Sequence, residues 1–458
     1  MTRRFDAIIV GAGQAGPALA GRLTAAGQKV ALVERHLVGG TCVNTGCKPT
    51  KTLVASAYAA HLARRAGDYG VIAGEIGVDM AKVAARARKV IQDSRGSNED
   101  WLAGMAGLTF LRGHARFEDA HRISVGGEQL EAPRIFLNVG GRAAVPDVPG
   151  IGEVDYLTNS SIIGLERVPE HLVIVGGSYI GLEFAQMYRR FGAQVTVVEM
   201  GPRLIGREDA DISDAIRAIL EAEGIAVRTN ACCIRLARHD RGVSVGVDCA
   251  DGAPEVVGSH VLLAVGRRPN TDDLGLDKAG IETDAKGYIE VDDRLATNVE
   301  GVWALGDCNG RGAFTHTAWN DYEIVAANLL EGADRRLSQR ILGYALYIDP
   351  PLGRVGMTEA QARASGRPLL VSTRPMTKVG RAVEKDESLG FMKLVADAET
   401  KRILGAAILG TGGDEAIHGI LDMMNADQPL STLQWAVPIH PTVSELIPTL
   451  VGDLRPAT

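Results

Sequence analysis

Apolar positions come in short solid runs on this chain, and glycine closes each. Ala7-Ile8-Ile9-Val10 is apolar throughout, as expected of a parallel strand buried on both faces. Gly11-Ala12-Gly13-Gln14-Ala15-Gly16 follows, then an Ala- and Leu-rich stretch to Ala26 that predicts a helix, then a strand over 29–34 ending at Glu34. The order repeats from His171: a strand over 172–175, the turn Gly176-Gly177-Ser178-Tyr179-Ile180-Gly181, a helix over 182–191 and a strand over 194–199 ending at Glu199. Elsewhere the pattern alternates. Thr109-Phe110-Leu111, Arg122-Ile123-Ser124-Val125 and Arg134-Ile135-Phe136-Leu137 predict strands, as does Gly390-Phe391-Met392-Lys393-Leu394-Val395, while 414–425 predicts a helix.

Strand–GxGxxG–helix–strand with an acid at the end is a dinucleotide-binding unit. Gly11, Gly13 and Gly16 let the backbone approach a pyrophosphate at a helix N-terminus, and Glu34 is placed for the ribose hydroxyls. Two such units predict two dinucleotides. In the second, Gly176, Gly177 and Gly181 form the turn, with Ser178 at the middle glycine position. Glu199 accepts a free 2′-hydroxyl and repels a 2′-phosphate, which favours NAD(H) over NADP(H); Arg203 and Arg207 just behind it soften that preference. Val261-Leu262-Leu263-Ala264-Val265-Gly266-Arg267 and Gly301-Val302-Trp303-Ala304-Leu305-Gly306-Asp307 are expected as further strands, the second presenting Asp307 to a ligand hydroxyl.

The fold class expected is α/β: two Rossmann-like dinucleotide-binding domains and a C-terminal α+β domain. Pro146, Pro149 and Gly150 mark a linker. The expected division is 1–150 and 271–342 for the first nucleotide domain, 151–270 for the second, and 343–458 for the last. The length of 458 residues suits several domains, and 55 glycines suit many tight turns. A net charge of −7 provides no basic field for nucleic acid or an anionic membrane. The first apolar run enters a glycine turn, so it is a strand and not a signal peptide, and no run is long enough to span a membrane.

Six cysteines in so long a chain make no disulfide scaffold. Two of them stand close, in Gly39-Gly40-Thr41-Cys42-Val43-Asn44-Thr45-Gly46-Cys47-Lys48-Pro49-Thr50-Lys51, ahead of an Ala-rich run that predicts a helix. Both sulfurs are expected in the first turns of that helix, where free N–H groups and the helix dipole favour a thiolate. The pair is expected to be a redox-active disulfide in a reducing, cytoplasmic compartment. Lys48 is a candidate cation for lowering the Cys47 pKa. Cys232-Cys233, Cys249 and Cys308 are expected in the core. Late in the chain, His440-Pro441-Thr442-Val443-Ser444-Glu445 can form a His–carboxylate pair. No resident metal site is expected.

Together these motifs resemble the flavin-dependent pyridine nucleotide–disulfide oxidoreductases, the family of lipoamide dehydrogenase, glutathione reductase and mercuric reductase, in the family's order and along essentially the whole chain. The resemblance implies FAD in the first unit, with Thr41, Ala115, Gly141, Asp307 and Thr315 around it, and NAD in the second, with Tyr179 gating and Ile180 and Gly266 beside it. It implies that Cys42 meets the substrate, that Cys47 faces the flavin, and that Lys51, near the flavin, pairs with Glu183. It also implies that His440, assisted by Glu445, reaches the site from the partner of a homodimer. The substrate class implied is a small or protein-bound disulfide or dithiol, as in lipoamide dehydrogenase. Mercuric-type metal-ion reduction is the alternative: Cys-Val-Asn-Thr-Gly-Cys and the stretch from Arg381 to Phe391 look closer to those proteins, but the chain ends Asp453-Leu454-Arg455-Pro456-Ala457-Thr458 without their vicinal cysteines. A non-catalytic redox sensor on the same fold is a third possibility, against which the intact set of Cys42, Cys47, Lys51, His440 and Glu445 stands.

Overall fold

Five short strands, Val302–Ala304, Ile135–Leu137, Ala7–Val10, Val30–Glu34 and Leu108–Arg112, lie side by side in that order and all in parallel. The computed structural model describes residues 2–248 and 253–457. Ile8, Ile9 and Leu32 are fully buried, because helices cover both faces of a parallel sheet. The helix Ala15–Ala25 returns the chain from Ala7–Val10 to Val30–Glu34. Ligands bind such sheets beyond the carboxyl ends of the strands, and the first glycine turn sits there.

The second unit has a four-stranded parallel sheet of Ala226–Arg228, Gln194–Val198, His171–Val175 and His260–Leu263, crossed by the helix Tyr179–Phe191. Expectation and structure part in two places. The strand expected over 261–267 stops at Leu263, and Arg267–Pro269 separately pairs antiparallel with Gly141–Ala143. The strand expected to carry Asp307 stops at Ala304; Asp307 lies in the single turn Gly306–Asn309, where Gly306 has φ +74°. Strands Ala115–Asp119 and Glu128–Glu131, in the small sheet beside the first unit, were not signalled by the hydrophobic pattern.

From Gly343 the chain forms a six-stranded antiparallel sheet backed by the helix Gly413–Asn425. Its inner face packs Met392, Leu394, Ala406, Ile408 and Ile420, all fully buried. Among the described residues no helix is long and apolar enough to cross a membrane.

Candidate active site

The paired cysteines stand on two helices, not one. A short helix, Gly40–Asn44, carries Cys42; the chain breaks at Thr45-Gly46, and the helix Cys47–Arg64 begins at Cys47 itself. The break has a steric reason: a side chain on Gly46 would come within 2.9 Å of the Thr41 carbonyl oxygen. Gly39 and Gly40 have φ of +94° and +60°, and a Cβ on Gly40 would reach 2.9 Å from the Gly13 Cα. That close approach seats the cysteine segment directly on the first nucleotide turn. Asn44 locks it by donating to the carbonyls of Val38 and Gly40, both at 2.9 Å.

Cys42 and Cys47 are both thiols here. The Cys42 thiol donates to Cys47, and this bond, with the Thr315 hydroxyl and the charge of Lys51, lowers the Cys47 pKa to about 6 against the opposing effect of burial. The same bond and burial push the Cys42 thiol well up. Thr315 Oγ1 lies 3.4 Å from the Cys47 sulfur, at the start of the helix Thr315–Leu330. One turn on from Cys47, Lys51 Nζ donates to both carboxylate oxygens of Glu183, at 2.9 and 2.7 Å. Tyr347, which carried no sequence signal, completes the group: its backbone N–H donates to Glu183 at 3.1 Å, and its ring lies 4.5 Å under the Lys51 ammonium. Lys48 is exposed and donates to Ser94 at 2.9 Å; its charge acts to lower the Cys42 pKa and is not among the main influences on Cys47.

The two glycine turns are built alike. In the first, the Glu34 carboxylate accepts the N–H groups of Ala12 (2.8 Å) and His36 (2.7 Å). In the second, Glu199 accepts those of Gly177 (2.6 Å) and Gly201 (2.7 Å). Each acid braces its own turn and keeps spare lone pairs toward the cleft. A Cβ on Gly11 would overlap the Asn138 carbonyl oxygen, and one on Gly176 the Ala264 carbonyl oxygen. Gly16 and Gly181 press on the carbonyls of Gly11 and Gly176, so they pack helix on turn and do not line the cleft.

One continuous cleft of about 2070 Å³ runs past both turns and the cysteines. That is about twice the upper end of the ~300–1,000 Å³ range of a single small-molecule site, and so fits two dinucleotides. Glu34, Thr41, Ala115, Asp307 and Thr315 line its first half, and Tyr179, Ile180, Glu199, Arg203, Arg207 and Gly266 its second. Gly141 stays behind the wall, where its carbonyl accepts from Arg267. Burial raises the Asp307 pKa, while Arg267, 3.3 Å away, holds its charge in part. Arg267 ended a predicted strand but carried no signal for this pairing. The backbone cradles closed to any side chain and the partly buried Asp307 beside Arg267 fit a pyrophosphate and a polyol chain, as FAD presents.

His440 Nδ1 lies 2.8 Å from Glu445 Oε2, as the spacing suggested. The imidazole is 80% exposed and is not part of its own chain's cleft. Trp435, Val437 and Ile439 just before it are 80%, 96% and 80% exposed. The remaining cysteines divide. Cys308 is buried and donates to the carbonyls of Leu137 and Leu305. Cys232 and Cys233, expected in the core, are both exposed. They open the strand Cys232–His239 where its register shifts and Cys233 has φ +54°, a bulge that turns both side chains outward. Cys249 lies outside the described residues.

Known proteins share this organisation. The family model for pyridine nucleotide-disulphide oxidoreductase matches residues 5–321, and that for the same family's dimerisation domain matches residues 343–451. The probable pyridine nucleotide-disulfide oxidoreductase RclA of Escherichia coli K12 is 36% identical, over 99% of this chain and all of that protein. A mercuric reductase of Streptomyces lividans is 34% identical over 90% of this chain and 88% of its own. A solved structure described as the Cu(II) complex of the HOCl-induced flavoprotein disulfide reductase RclA from Escherichia coli superposes with a TM-score of 0.89, at 35% identity, over 98% of this chain and 99% of that one. With two nucleotide turns, a cysteine pair on the first of them and the family's own dimerisation domain, this chain belongs to the FAD-dependent pyridine nucleotide–disulfide oxidoreductases.

Proposed function

We propose that this enzyme carries electrons between NAD(H) and a disulfide substrate through the Cys42–Cys47 pair, with Cys42 meeting the substrate and Cys47 resting as the thiolate. The asymmetry of the two thiols carries this reading: one is drawn down to about 6 by the Cys42 hydrogen bond, Thr315 and Lys51, and the other is driven up. The first glycine turn, Glu34, Thr41, Ala115, Asp307 and Thr315 would hold FAD, which would supply a two-electron exchange between the nicotinamide and the cysteine pair. The Glu199 carboxylate, held at the end of the second glycine turn with Arg203 and Arg207 nearby, supports NAD(H) over NADP(H), since it would repel a 2′-phosphate.

The thiol steps balance on the chain's own residues. Cys42, deprotonated by a base, attacks one sulfur of the substrate disulfide, giving a mixed disulfide and one released thiol. The Cys47 thiolate then attacks the Cys42 sulfur, forming Cys42–Cys47 and releasing the second thiol. His440, oriented by Glu445, is the base and then the acid. Its exposure, and its place beyond an uncovered Trp435–Ile439 stretch, support its delivery into the cleft of the partner in a homodimer. Lys51 keeps the local potential positive, and Glu183 and Tyr347 fix where its ammonium points. The same steps in reverse oxidise a dithiol.

A second reading has one specific support: a relative's structure is described as a Cu(II) complex, and another relative as a mercuric reductase. A soft cation would be reduced as substrate at the same thiolates. Turnover with NADH of lipoamide disulfide, glutathione disulfide, Cu(II) and Hg(II), each in the wild type and Cys42→Ser, separates the two. Disulfide turnover lost in Cys42→Ser is the expected result. Turnover of a metal ion with none of any disulfide would replace the first reading with the second.

A further inference from the structure

Four aromatic rings meet at one end of the cleft, from three separate stretches of chain. Tyr179, at the start of its helix, stands edge-on to Tyr344 with centroids 5.4 Å apart, and edge-on to Phe314 at 6.4 Å. Phe314 lies flat against Tyr344 at 5.8 Å and against His316 at 5.3 Å, each at 12°. All four line the cleft. Tyr179 belongs to the second nucleotide unit, and Tyr344 to the first strand of the C-terminal sheet.

The Tyr344 hydroxyl donates to Glu208, back in the nucleotide unit. The Glu208 side chain is 0% exposed, and its counter-ion Arg354 is 1% exposed. Arg354 Nε donates to Glu208 Oε2 at 3.0 Å. Next to them, Asp209 accepts the backbone N–H groups of Glu359 and Ala360, both at 3.0 Å, and Lys393 reaches Asp211 at 2.5 Å and Glu359 at 2.9 Å. The buried Glu208–Arg354 pair and Asp209, with the half-exposed Asp211 beside them, therefore pin the start of the helix Ala210–Ala222 to the C-terminal sheet. A buried ion pair is weak as a source of stability, since well-packed hydrocarbon of the same volume does at least as well. What it fixes is placement, because guanidinium and carboxylate bond over a narrow range of relative positions. Here the placement fixed is that of Tyr344 against Tyr179.

We propose that Tyr344, tethered by its hydroxyl to the buried Glu208–Arg354 pair, is a positioning residue that holds the Tyr179 ring in place for the nicotinamide end of the pyridine nucleotide. This rests on the assignment of the second glycine turn and Tyr179 to that cofactor. Freed of its tether, the Tyr344 ring can turn about its own side-chain bonds, and Tyr179 loses the wall it leans on. The affinity lost is that of the nucleotide, through Tyr179.

The test is equilibrium binding of NAD, and separately of NADP, to the oxidised holoenzyme, followed by protein fluorescence in the wild type, Tyr344→Phe, Tyr179→Ala and the double variant. Tyr344→Phe keeps the ring and removes only the hydroxyl. The expected result is a loss of about tenfold in affinity, the size of one hydrogen bond to a charged group, with flavin content held and the melting temperature lowered only as far as the loss of one bond to a buried carboxylate requires. In the Tyr179→Ala background the same change is expected to do nothing more, because Tyr344 acts through Tyr179. Wild-type affinity in Tyr344→Phe, or a loss that persists in full without Tyr179, overturns the proposal. Should Tyr344→Phe lose its flavin, Glu208→Gln, which weakens the tether and keeps every ring, carries the same expectation for nucleotide affinity, with a lower melting temperature because the buried Arg354 loses its charge partner. A wild-type holoenzyme that binds neither nucleotide overturns the assignment of the pocket itself, and shows it before any variant is made.

Discussion

At the scale of single residues, the site turns on which cation faces which sulfur. Lys48 and Lys51 both follow Cys47 closely, and the chemistry of lysine does not choose between them. Helical geometry does: position 51 is four residues on, over the same face as Cys47, while position 48 is swung about 100° away and ends on Ser94. Alkylation by iodoacetamide of the reduced protein, followed against pH at the Cys47 peptide so that the exposed Cys232 and Cys233 do not contribute, checks the outcome. The Cys47 thiolate forms as pH rises through about 6 and is lost below it, so the rate should climb with that midpoint and not near the ~8.5 of a free cysteine. Lys48→Ala should leave the midpoint where it is. Lys51→Met should raise it, and should cost about 1–3 kcal/mol of stability by leaving the buried Glu183 carboxylate short of a partner. A midpoint that moves with Lys48 and not with Lys51 would contradict this. The His440–Glu445 pair was legible in its spacing, and the Lys51–Glu183 pair through the family resemblance. Tyr347 and Arg267 were not, since each reaches its partners from a stretch distant in sequence, and only the fold brings them together.

Among elements, the solid apolar strands and their glycine turns were the most legible part of the chain, because a buried parallel strand admits almost nothing else. The short alternating strands of the small sheet were the least: Glu128–Glu131 buries only Leu130. The cysteine helix was expected as one piece and is two, because Gly46 sits against Thr41. At Cys232-Cys233 the alternation of buried Ile234 and Leu236 continues backward only as far as the bulge, which no periodicity announces. The matched construction of the two glycine turns makes a paired prediction. Gly11→Ala combines φ +106° with overlap of the Asn138 carbonyl and should give protein purified without flavin. Gly176→Ala, at φ +114°, should keep its flavin and lose its spectral response to NADH. Flavin lost equally from both would contradict the assignment of one turn to each cofactor.

For the whole molecule, a single chain leaves Trp435, Val437 and Ile439 in water immediately before His440. Covering such side chains stabilises an interface by roughly 1.5–3 kcal/mol each, and the dimerisation domain that carries them supplies the occasion. Val437→Asp with Ile439→Asp should therefore shift sedimentation toward the monomer. The variant should keep its flavin, because the cleft is built within one chain, and should lose disulfide turnover, because His440 no longer reaches a partner's thiols. A monomer that still turns over would contradict the shared site. The three-part architecture was legible from the motifs and their order. The buried Glu208–Arg354 contact between the nucleotide unit and the C-terminal sheet was not, for its two halves lie in stretches that read separately as ordinary charged surface.

The central claim, that electrons from the nicotinamide reach the Cys42–Cys47 bond, is tested most directly by counting thiols. The oxidised holoenzyme is treated anaerobically with one equivalent of NADH, quenched in denaturant and titrated with a thiol reagent. Of six cysteines, the pair accounts for two, so the count should rise from four to six per chain. In Cys47→Ser it should stand at five before and after. A count that does not change with NADH in the wild type, or one that still rises in Cys47→Ser, would contradict the account.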